Sequence, residues 1–400
     1  MIDVEPFDYR RYYRLVEESR RRVEAVRDFE EPDRVPVIIG LGGPYYAKLF
    51  GYTFAEYYGD FKVMLEVQVK GIKWRIHWLK DDFTSIGVGF DLGSIAEGIV
   101  FDCDIRMPDE RNPWMSPWIV PSIRRLEDID RLEVPDPAKH KGIQEYYRKF
   151  EEFRLLAKRN YGDIPVWGGL GIHPPVSAAG SLMGPRRLYS WLLKYPCEMH
   201  KLFRKLEETF VVLREYYFEV TGADGGYLGL CDDHAGYLNR DMYKRFALPY
   251  NLRLYERFGH KGRSLHMDSH MDHIADILVD VYKVGNVDVG VENDIRVLAE
   301  AFRGKVVFNG NANWRVLLKC SPEAAEMEVE RCIYYAAPSR GYIFDNGGET
   351  YANIPAEMLK YEVEYAKKVG RYPIKRSRFK HLDVVEKRSR ETHRFWEICL

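Results

Sequence analysis

The sequence predicts an α/β fold, a single-domain (β/α)₈ barrel of the TIM type. From about residue 35 onward, eight short runs with strand-like composition alternate with longer helical patterns, which is typical of parallel pairing. Polar residues follow six of these runs, as expected where strand ends face a shared cavity. The turn over residues 40–44 lacks the G-x-G-x-x-G spacing, so a doubly wound open sheet is the less favoured alternative.

The predicted elements follow one another in a simple order. The eight predicted strands cover residues 35–39, 84–90, 164–167, 226–231, 263–267, 287–291, 305–308 and 341–344. Ser321-Pro322-Glu323 has the pattern of a helix start and predicts a helix over 324–335. Asn239-Arg240-Asp241 predicts a second helix start, and Pro249 interrupts or ends that helix. Residues 101–122 are predicted to form a long loop over one mouth of the barrel.

These elements predict three segments: a helical extension over 1–34, the barrel over 35–372 and a charged C-terminal tail over 373–400. With 400 residues, the chain is long enough to bury a sizeable core. The 60 Lys and Arg nearly balance the 61 Asp and Glu, which argues against nucleic acid or an anionic membrane surface as a partner. We expect a small-molecule substrate instead. An apolar helix face leaves a homodimer open, although no motif demonstrates one.

Targeting and redox signals favour a cytoplasmic location. No run approaches the roughly 18 apolar residues of a membrane span, and no secretion signal stands at the N-terminus. The six cysteines are scattered without a C-x-x-C pair, which indicates reduced thiols rather than a disulfide framework.

The strongest functional signal is the pair His266 and Asp268 at the end of the fifth predicted strand. Residues two apart in a strand point to the same side, so the imidazole and carboxylate project together. Such a pair can hold a metal or transfer a proton. The catalytic candidates are Asp91, Asp232, Asp233 and His266. Either Asp232 or Asp233 can alternatively be a helix N-cap.

Four further residues are candidates for substrate binding: His173, Asn309, Asn311 and Tyr45. His173 lies in a loop shaped by glycine and proline, where it can touch substrate or pack beneath it. The two asparagines follow the seventh strand, where the alternative role is to satisfy loop backbone groups. Tyr45 follows the first strand and can line a pocket or pack in the core.

Motifs in a fixed order resemble those of the superfamily shared by uroporphyrinogen decarboxylase and the cobalamin-linked methyltransferases. They include Val88-Gly89-Phe90-Asp91, Cys231-Asp232-Asp233, Leu265-His266-Met267-Asp268, Phe308-Asn309-Gly310-Asn311 and Gly341-Tyr342-Ile343-Phe344. The resemblance runs from about residue 32 to about residue 357. It implies a (β/α)₈ barrel, in agreement with the strand count.

The departures from the family pattern bear on function. The family's methyltransferases carry H-x-C and a later Cys that hold zinc, whereas here Asp268 and Gly348 stand near those cysteine positions. The resemblance therefore implies a harder site of His266, Asp268 and Glu349, with Asp232 or Asp233 as the alternative further ligand, for a divalent metal such as zinc. The leading hypothesis is corrinoid-linked methyl transfer from an O- or N-methyl donor, with a corrinoid protein as partner and methyl carrier.

Two other functions remain open. One is a cofactor-free decarboxylase in which Asp91 is the key group. Residues 40–46 lack the arginine that clamps substrate carboxylates in uroporphyrinogen decarboxylases, so its substrate would be a non-standard one. The other is a tetrapyrrole- or corrinoid-binding module without catalysis.

Overall fold

The computed structural model describes residues 7–379 and residue 382, so most of the tail predicted over 373–400 lies outside the described residues. The fold is α/β, with short parallel strands and many helices. The strands in the described part of the chain are β1 (Val88–Gly89), β2 (Ile105–Arg106), β3 (Trp118–Ile119), β4 (Val166–Trp167), β5 (Tyr227–Cys231), β6 (Gly262–Met267), β7 (Asn286–Val289), β8 (Val307–Ala312) and β9 (Tyr342–Asn346).

Helices surround these strands. The α-helices are α1 (Tyr9–Leu15), α2 (Glu17–Arg27), α3 (Gly43–Leu49), α4 (Phe54–Gly59), α5 (Phe61–Trp74), α6 (Ala96–Val100), α7 (Leu126–Arg131), α8 (Lys141–Tyr161), α9 (Pro175–Met183), α10 (Pro185–Lys194), α11 (Pro196–Thr221), α12 (Arg240–Phe246), α13 (Leu248–Phe258), α14 (Ile295–Phe302), α15 (Pro322–Ala336) and α16 (Ala356–Val369). Among the described residues, no helix combines the length and apolar character needed to cross a bilayer.

Two predicted helix starts are confirmed. The Ser321 hydroxyl accepts a hydrogen bond from the Ala324 amide at 3.3 Å, and Pro322 begins α15. Asn239 accepts from the Met242 amide at 2.9 Å at the start of α12. These side chains satisfy first-turn N–H groups that have no partner within the helix. Pro249 lies in the first turn of α13, so the helix beginning at Arg240 is interrupted there.

Strands β5 to β9 form one parallel five-stranded sheet in chain order. Its ladders are continuous, with five paired positions between β5 and β6 and five between β8 and β9. Parallel strands joined by helices all end at the same edge of a sheet. The loops after these strands therefore collect on one side of the molecule, where the predicted site residues lie.

The remaining predicted strands pair more sparsely. β1 and β4 form a separate two-stranded parallel sheet. The segment over 35–39 forms a bridge between Val37 and Phe344, with Ile38 N–H donating to the Phe344 carbonyl at 2.9 Å. In the described residues, no backbone ladder joins β4 to β5 or this segment to β1. The parallel α/β fold is thus established, and closure into a (β/α)₈ barrel stays a prediction.

The two ends of the five-stranded sheet are covered differently. At the amino end, Val23 and Val26 of α2 pack on Val307 and Ile343 in a small separate core. The predicted N-terminal extension therefore contributes to the fold through α2. The segment over 101–122 contains a short antiparallel pair, β2 with β3, in the place of the predicted loop, and its Trp114 lies near Glu349 and Thr350, which follow β9.

Candidate active site

A row of polar side chains crosses the five-stranded sheet near its carboxyl edge. Cys231 pairs with His266, His266 with Asp288, and Asp288 with Asn309 on successive strands. Paired residues on neighbouring strands point to the same face of a sheet. The register therefore brings a thiol, an imidazole, a carboxyl and an amide side by side, although they are distant in sequence.

His266 is surrounded by carboxylates. Its Nδ1 lies 3.3 Å from Asp288 Oδ2, and its Nε2 lies 3.6 Å from Asp268 Oδ1. The hydrogen bond with Asp288 and the charges of Asp268 and Asp233 outweigh burial and raise the His266 pKa to about 9. At neutral pH the ring is therefore positively charged in the absence of any other cation.

The same cluster contains a set of potential metal ligands. Asp233, His266 and Asp268 each offer one ligand atom, and these atoms lie within 4.8 Å of one another. One oxygen of Asp233 accepts the Asp268 amide at 2.7 Å, which leaves its other oxygen available. The prediction grouped His266 and Asp268 with Glu349, or alternatively with Asp232 or Asp233, and in the described residues it is Asp233 that offers a ligand atom close to both.

A cavity of about 280 Å³, here called the inner cavity, opens beside this cluster. Its lining includes His266, Asp288, Asn309, Asp345 and Glu349 together with the backbone of residues 40–42. Burial raises the Asp345 pKa to about 8, although Asp345 accepts hydrogen bonds from the Gly40 amide at 2.7 Å and from Asn309 Nδ2 at 3.1 Å. Asp345 therefore retains a proton at neutral pH.

Two further carboxyls belong to this region: Glu349, which lines the inner cavity, and Asp91, which lies near it. Limited solvation and the charges of Asp91 and Asp268 raise the Glu349 pKa. Asp91 accepts hydrogen bonds from Tyr57 Oη at 3.0 Å and from the Gly93 amide at 2.8 Å. Burial nonetheless raises the Asp91 pKa. Asp91 is thus held close to the cleft, beside Glu349.

The turn after residues 35–39 approaches both of these carboxyls. A Cβ at Gly42 would lie 1.8 Å from Glu349 Oε1, and a Cβ at Gly43 would lie 2.8 Å from Asp91 Oδ2. At Gly43 the added Cβ would meet the Tyr57 hydroxyl even before Asp91, so side chains at these two positions would displace Glu349, Tyr57 and Asp91. The glycines thus allow the turn to form one wall of an acidic cleft.

Asp232 lies behind this cleft, in a buried position. It is fully buried and accepts hydrogen bonds from Ser177 Oγ at 2.7 Å and from Asn251 Nδ2 at 2.6 Å. Burial raises its pKa to about 6. Both oxygens accept hydrogen bonds from side chains of neighbouring helices, which gives Asp232 a supporting role in the fold, and its predicted catalytic role stays a prediction.

His173 is oriented by a residue that the sequence did not indicate. Glu97, fully buried in α6, accepts hydrogen bonds from His173 Nδ1 and from the His173 amide, each at 2.7 Å. Burial disfavours the charged ring, but the hydrogen bond and charge of Glu97 outweigh it and raise the His173 pKa. The ring lines a separate cavity of about 570 Å³ next to Cys231, so its Nε2 can face a ligand there.

Two predicted substrate-binding residues lie outside the cleft. Tyr45 is only 3% exposed, packs against Tyr46 and Trp74, and donates to the Ile354 carbonyl at 3.2 Å. Asn311 is fully buried, donates to the Asn293 carbonyl at 2.8 Å and accepts from Arg331. Both side chains therefore pack in the interior and support backbone groups, and their role in substrate binding stays a prediction. Asn309 does line the inner cavity.

Three residues at or beside the cleft are absent from the predicted set: Asp288, Asp345 and Glu97. The alternation Val287-Asp288-Val289 in β7 was a usable signal, because a carboxyl between two buried valines must face the opposite side. Asp345 directly follows the eighth predicted strand and is one of the polar strand-end residues that the sequence indicated, but it was given no catalytic or binding role. Glu97 gave none, since 76 residues separate it from His173.

The fold and cleft together define an α/β enzyme whose polar site lies at the carboxyl ends of parallel strands. The family model "Uroporphyrinogen decarboxylase (URO-D)" matches residues 18–369. The chain belongs to this family, and it is an enzyme of the uroporphyrinogen decarboxylase superfamily.

Similar proteins agree with this assignment. The uroporphyrinogen decarboxylase of Anaeromyxobacter dehalogenans is 26% identical over 255 residues, which cover 60% of this chain and 68% of the relative. That of Chloroherpeton thalassium is 26% identical over 266 residues, covering 64% and 73%. A solved methyltransferase from Methanosarcina mazei has the same fold, with a TM-score of 0.62, 17% identity, and coverage of 88% of this chain and 98% of the other.

Proposed function

We propose that this enzyme transfers a methyl group from an O- or N-methyl donor to a corrinoid carried by a partner protein. The observation that carries the proposal is the cluster of Asp233, His266 and Asp268, with ligand atoms within 4.8 Å, beside the inner cavity. The fold shared with a methyltransferase supports it. Among the described residues lining the inner cavity there is no lysine or arginine, so neutral or cationic donors fit better than polyanionic ones.

The donor set of the cluster fits a divalent metal. One imidazole nitrogen and two carboxylate oxygens are ligands that zinc accepts, and three protein ligands leave a position for substrate. Asp233, His266 and Asp268 would hold the ion, and Glu349 could approach from the opposite wall. When bound, the metal would supply Lewis-acid polarisation of the oxygen or nitrogen that loses the methyl group.

The chain's own residues prepare the leaving group. Asp345 keeps its proton at neutral pH and lines the inner cavity, so it can donate that proton to the departing oxygen or nitrogen. Asn309 Nδ2 and the Gly40 amide hold the Asp345 carboxyl in place. Three acidic side chains, Asp233, Asp268 and Asp288, surround His266 and favour a neutral or cationic donor over an anionic one.

The first experiment combines metal analysis with methyl transfer to free cob(I)alamin, followed by absorbance. Wild-type protein should contain about one divalent metal per chain and methylate cob(I)alamin from O- or N-methyl donors. The His266→Ala variant should not retain the metal, and its kcat should be at least about 100-fold lower than that of wild type. His260→Ala is the matched control, because His260 is exposed just before the opposite end of β6.

The outcomes separate the two parts of the proposal. A metal-free protein that still transfers methyl groups would remove the ligand role of His266. Stoichiometric metal without transfer to cob(I)alamin from any O- or N-methyl donor would count against methyl transfer itself.

Decarboxylation is the second candidate, because the curated relatives reported above are decarboxylases and Asp91 is retained beside the cleft. In this reaction Asp91 would stabilise a protonated intermediate, and no cofactor would be needed. Full turnover by Asp91→Ala would exclude this role. An absorbance titration with a porphyrin and with cobalamin, run beside both activity assays, would identify a binding module if tight binding occurs without turnover.

A further inference from the structure

A second cavity adjoins the inner one, and its chemistry is different. This outer cavity, of about 290 Å³, is lined by Pro44, Lys48, Phe54, Trp114, Ser116, Glu349, Thr350, Tyr351, Ala352 and Asn353. Glu349 lines both cavities, so the two spaces meet at this residue. A ligand whose reacting end lies in the inner cavity could extend into the outer one.

The outer cavity contains aromatic rings that are exposed yet held in place. Trp114 is 49% exposed and Tyr351 is 50% exposed. Trp114 packs edge-on against Phe54 at a centroid distance of 5.6 Å, and Tyr351 stacks on Trp314 at 5.9 Å. Large rings that are braced by neighbours but leave a face open are suited to stacking on a flat ligand.

Lys48 provides the positive charge of the outer cavity. It donates a hydrogen bond to the neutral side chain of Asn353, and its Nζ lies 5.5 Å from the centroid of the Trp114 ring. Among the described residues, no carboxylate forms an ion pair with Lys48. Glu349 also lines the cavity and forms no ion pair with Lys48 in the described residues, so the cavity contains one basic and one acidic side chain.

We infer that the outer cavity binds an aromatic carboxylate group, with its ring on Trp114 and Tyr351 and its carboxylate at Lys48. The inference deepens the proposed function, on which it rests, by assigning the class of the substrate's non-reacting end. The volume suits a single ring with one substituent rather than a polycyclic group. Lys48 would thus select anionic ends at a distance from the acidic cleft, which rejects them.

The test is a calorimetric titration of the full chain with benzoate and, as a neutral analogue of the same shape, benzamide. Wild-type protein should bind benzoate about tenfold more tightly than benzamide. Lys48→Met should remove this preference. Trp114→Leu or Tyr351→Leu should weaken the binding of both benzoate and benzamide. Lys305→Met is the matched control, because Lys305 is exposed near the amino end of β8.

The result can be separated from the fate of the proposed function. His266→Ala should bind benzoate as wild type does, even though it loses methyl transfer, because Lys48 and the rings are intact. Equal binding of benzoate and benzamide by wild type, a preference that survives Lys48→Met, or no binding at all would overturn the inference. Failure of methyl transfer alone would leave the benzoate preference as evidence for this subsite.

Discussion

The two halves of the parallel strand system are held together in different ways. In β5 to β9, continuous backbone ladders set the register, and the side chains Cys231, His266, Asp288 and Asn309 follow from it. In the half formed by residues 35–39, β1 and β4, backbone pairing is short. Side chains replace the missing ladders there.

Three side chains carry most of this replacement. Asp82 Oδ2 accepts the Val37 amide at 2.8 Å, and Asp81 Oδ2 accepts the Ile39 amide at 3.2 Å. Gln68 accepts the Gly89 amide at 2.7 Å and donates to the Gly89 carbonyl at 2.8 Å. Buried backbone groups need partners, and these contacts supply them where strands do not.

The difference has a consequence for the site. In the regular half, the functional side chains lie on the ladder itself, so single substitutions should change chemistry more than stability. In the irregular half, polar side chains hold the segment over residues 35–39, which leads into the turn over residues 40–44. Substitutions there should act first on stability, and the following predictions test this contrast.

Asp82→Ala should have the largest effect on stability. Asp82 is 1% exposed and accepts hydrogen bonds from Arg22 at 2.8 Å, from both Nη atoms of Arg34, and from the Val37 amide. Its removal leaves the Val37 amide without an acceptor and takes from Arg22 and Arg34 the buried carboxylate that they share, so the free energy of unfolding should fall by about 3–5 kcal/mol. Urea denaturation measures the change.

The control for Asp82→Ala is Glu300→Ala. Glu300 pairs with Arg303 at 3.1 Å on the surface, with 78% of its side chain exposed. Exposed pairs contribute less than about 1 kcal/mol, so the control should change the free energy of unfolding very little. Equal effects of the two substitutions would refute the idea that side chains replace ladders in this half.

Glu362→Gln tests how a buried carboxyl outside the strands affects the pH dependence of stability. Glu362 of α16 is 1% exposed, and neither of its oxygens has a hydrogen-bond partner in the described residues. Burial and the charges of Asp345 and Glu328 raise its pKa from 4.5 to about 8. The folded state therefore binds a proton that the unfolded state releases, so rising pH destabilises the fold between about pH 4.5 and 8.

Glu362→Gln should remove this part of the pH dependence. Near pH 4 the variant and wild type should be similarly stable, and near pH 8 the variant should be more stable by on the order of 3 kcal/mol. The measurement is the free energy of unfolding across this pH range. The control is Glu364→Gln on the same helix, where 65% of the side chain is exposed. A constant difference between Glu362→Gln and wild type at all pH values would contradict the prediction.

The sequence predicted the regular half of the fold more fully than the irregular half. Predicted strands over 226–231, 263–267 and 305–308 overlap β5, β6 and β8, because buried parallel strands read as apolar runs. The predicted strand over 84–90 is reduced to Val88–Gly89. The segment over residues 35–39 is held by the side chains of Asp81 and Asp82 instead. Hydrogen bonds to side chains that are distant in sequence leave no local pattern from which they could be predicted.

The site divides in the same way. His266 and Asp268 could be predicted because their alternation is local, and the structure places them together. The buried positions of Asp232 and Asn311 could not be predicted, because they depend on Ser177, Asn251 and Arg331 from other elements. Strand ends indicate which residues are near a cavity, whereas packing decides which of them face it.

Of the three test substitutions, Gly42→Ala should have the smallest effect on stability, yet it should still slow the proposed methyl transfer. Gly42 has φ −91° and ψ 172°, which alanine adopts without strain, but its Cβ would lie 1.8 Å from Glu349 Oε1. Glu349 is a flexible side chain and can move, so the free energy of unfolding should fall by less than about 1 kcal/mol. Its carboxyl would leave the boundary between the two cavities, and kcat/KM for methyl transfer should fall about tenfold.

The matched control is Gly59→Ala, because a Cβ at Gly59 meets no atom within 4 Å. Kinetics with cob(I)alamin and urea denaturation, measured on both variants, separate the site from the fold. If Gly42→Ala keeps full kcat/KM, the reaction does not need Glu349 in its observed position. If Gly42→Ala unfolds as readily as Asp82→Ala, the turn itself holds the irregular half together, and Asp82 is not its main support.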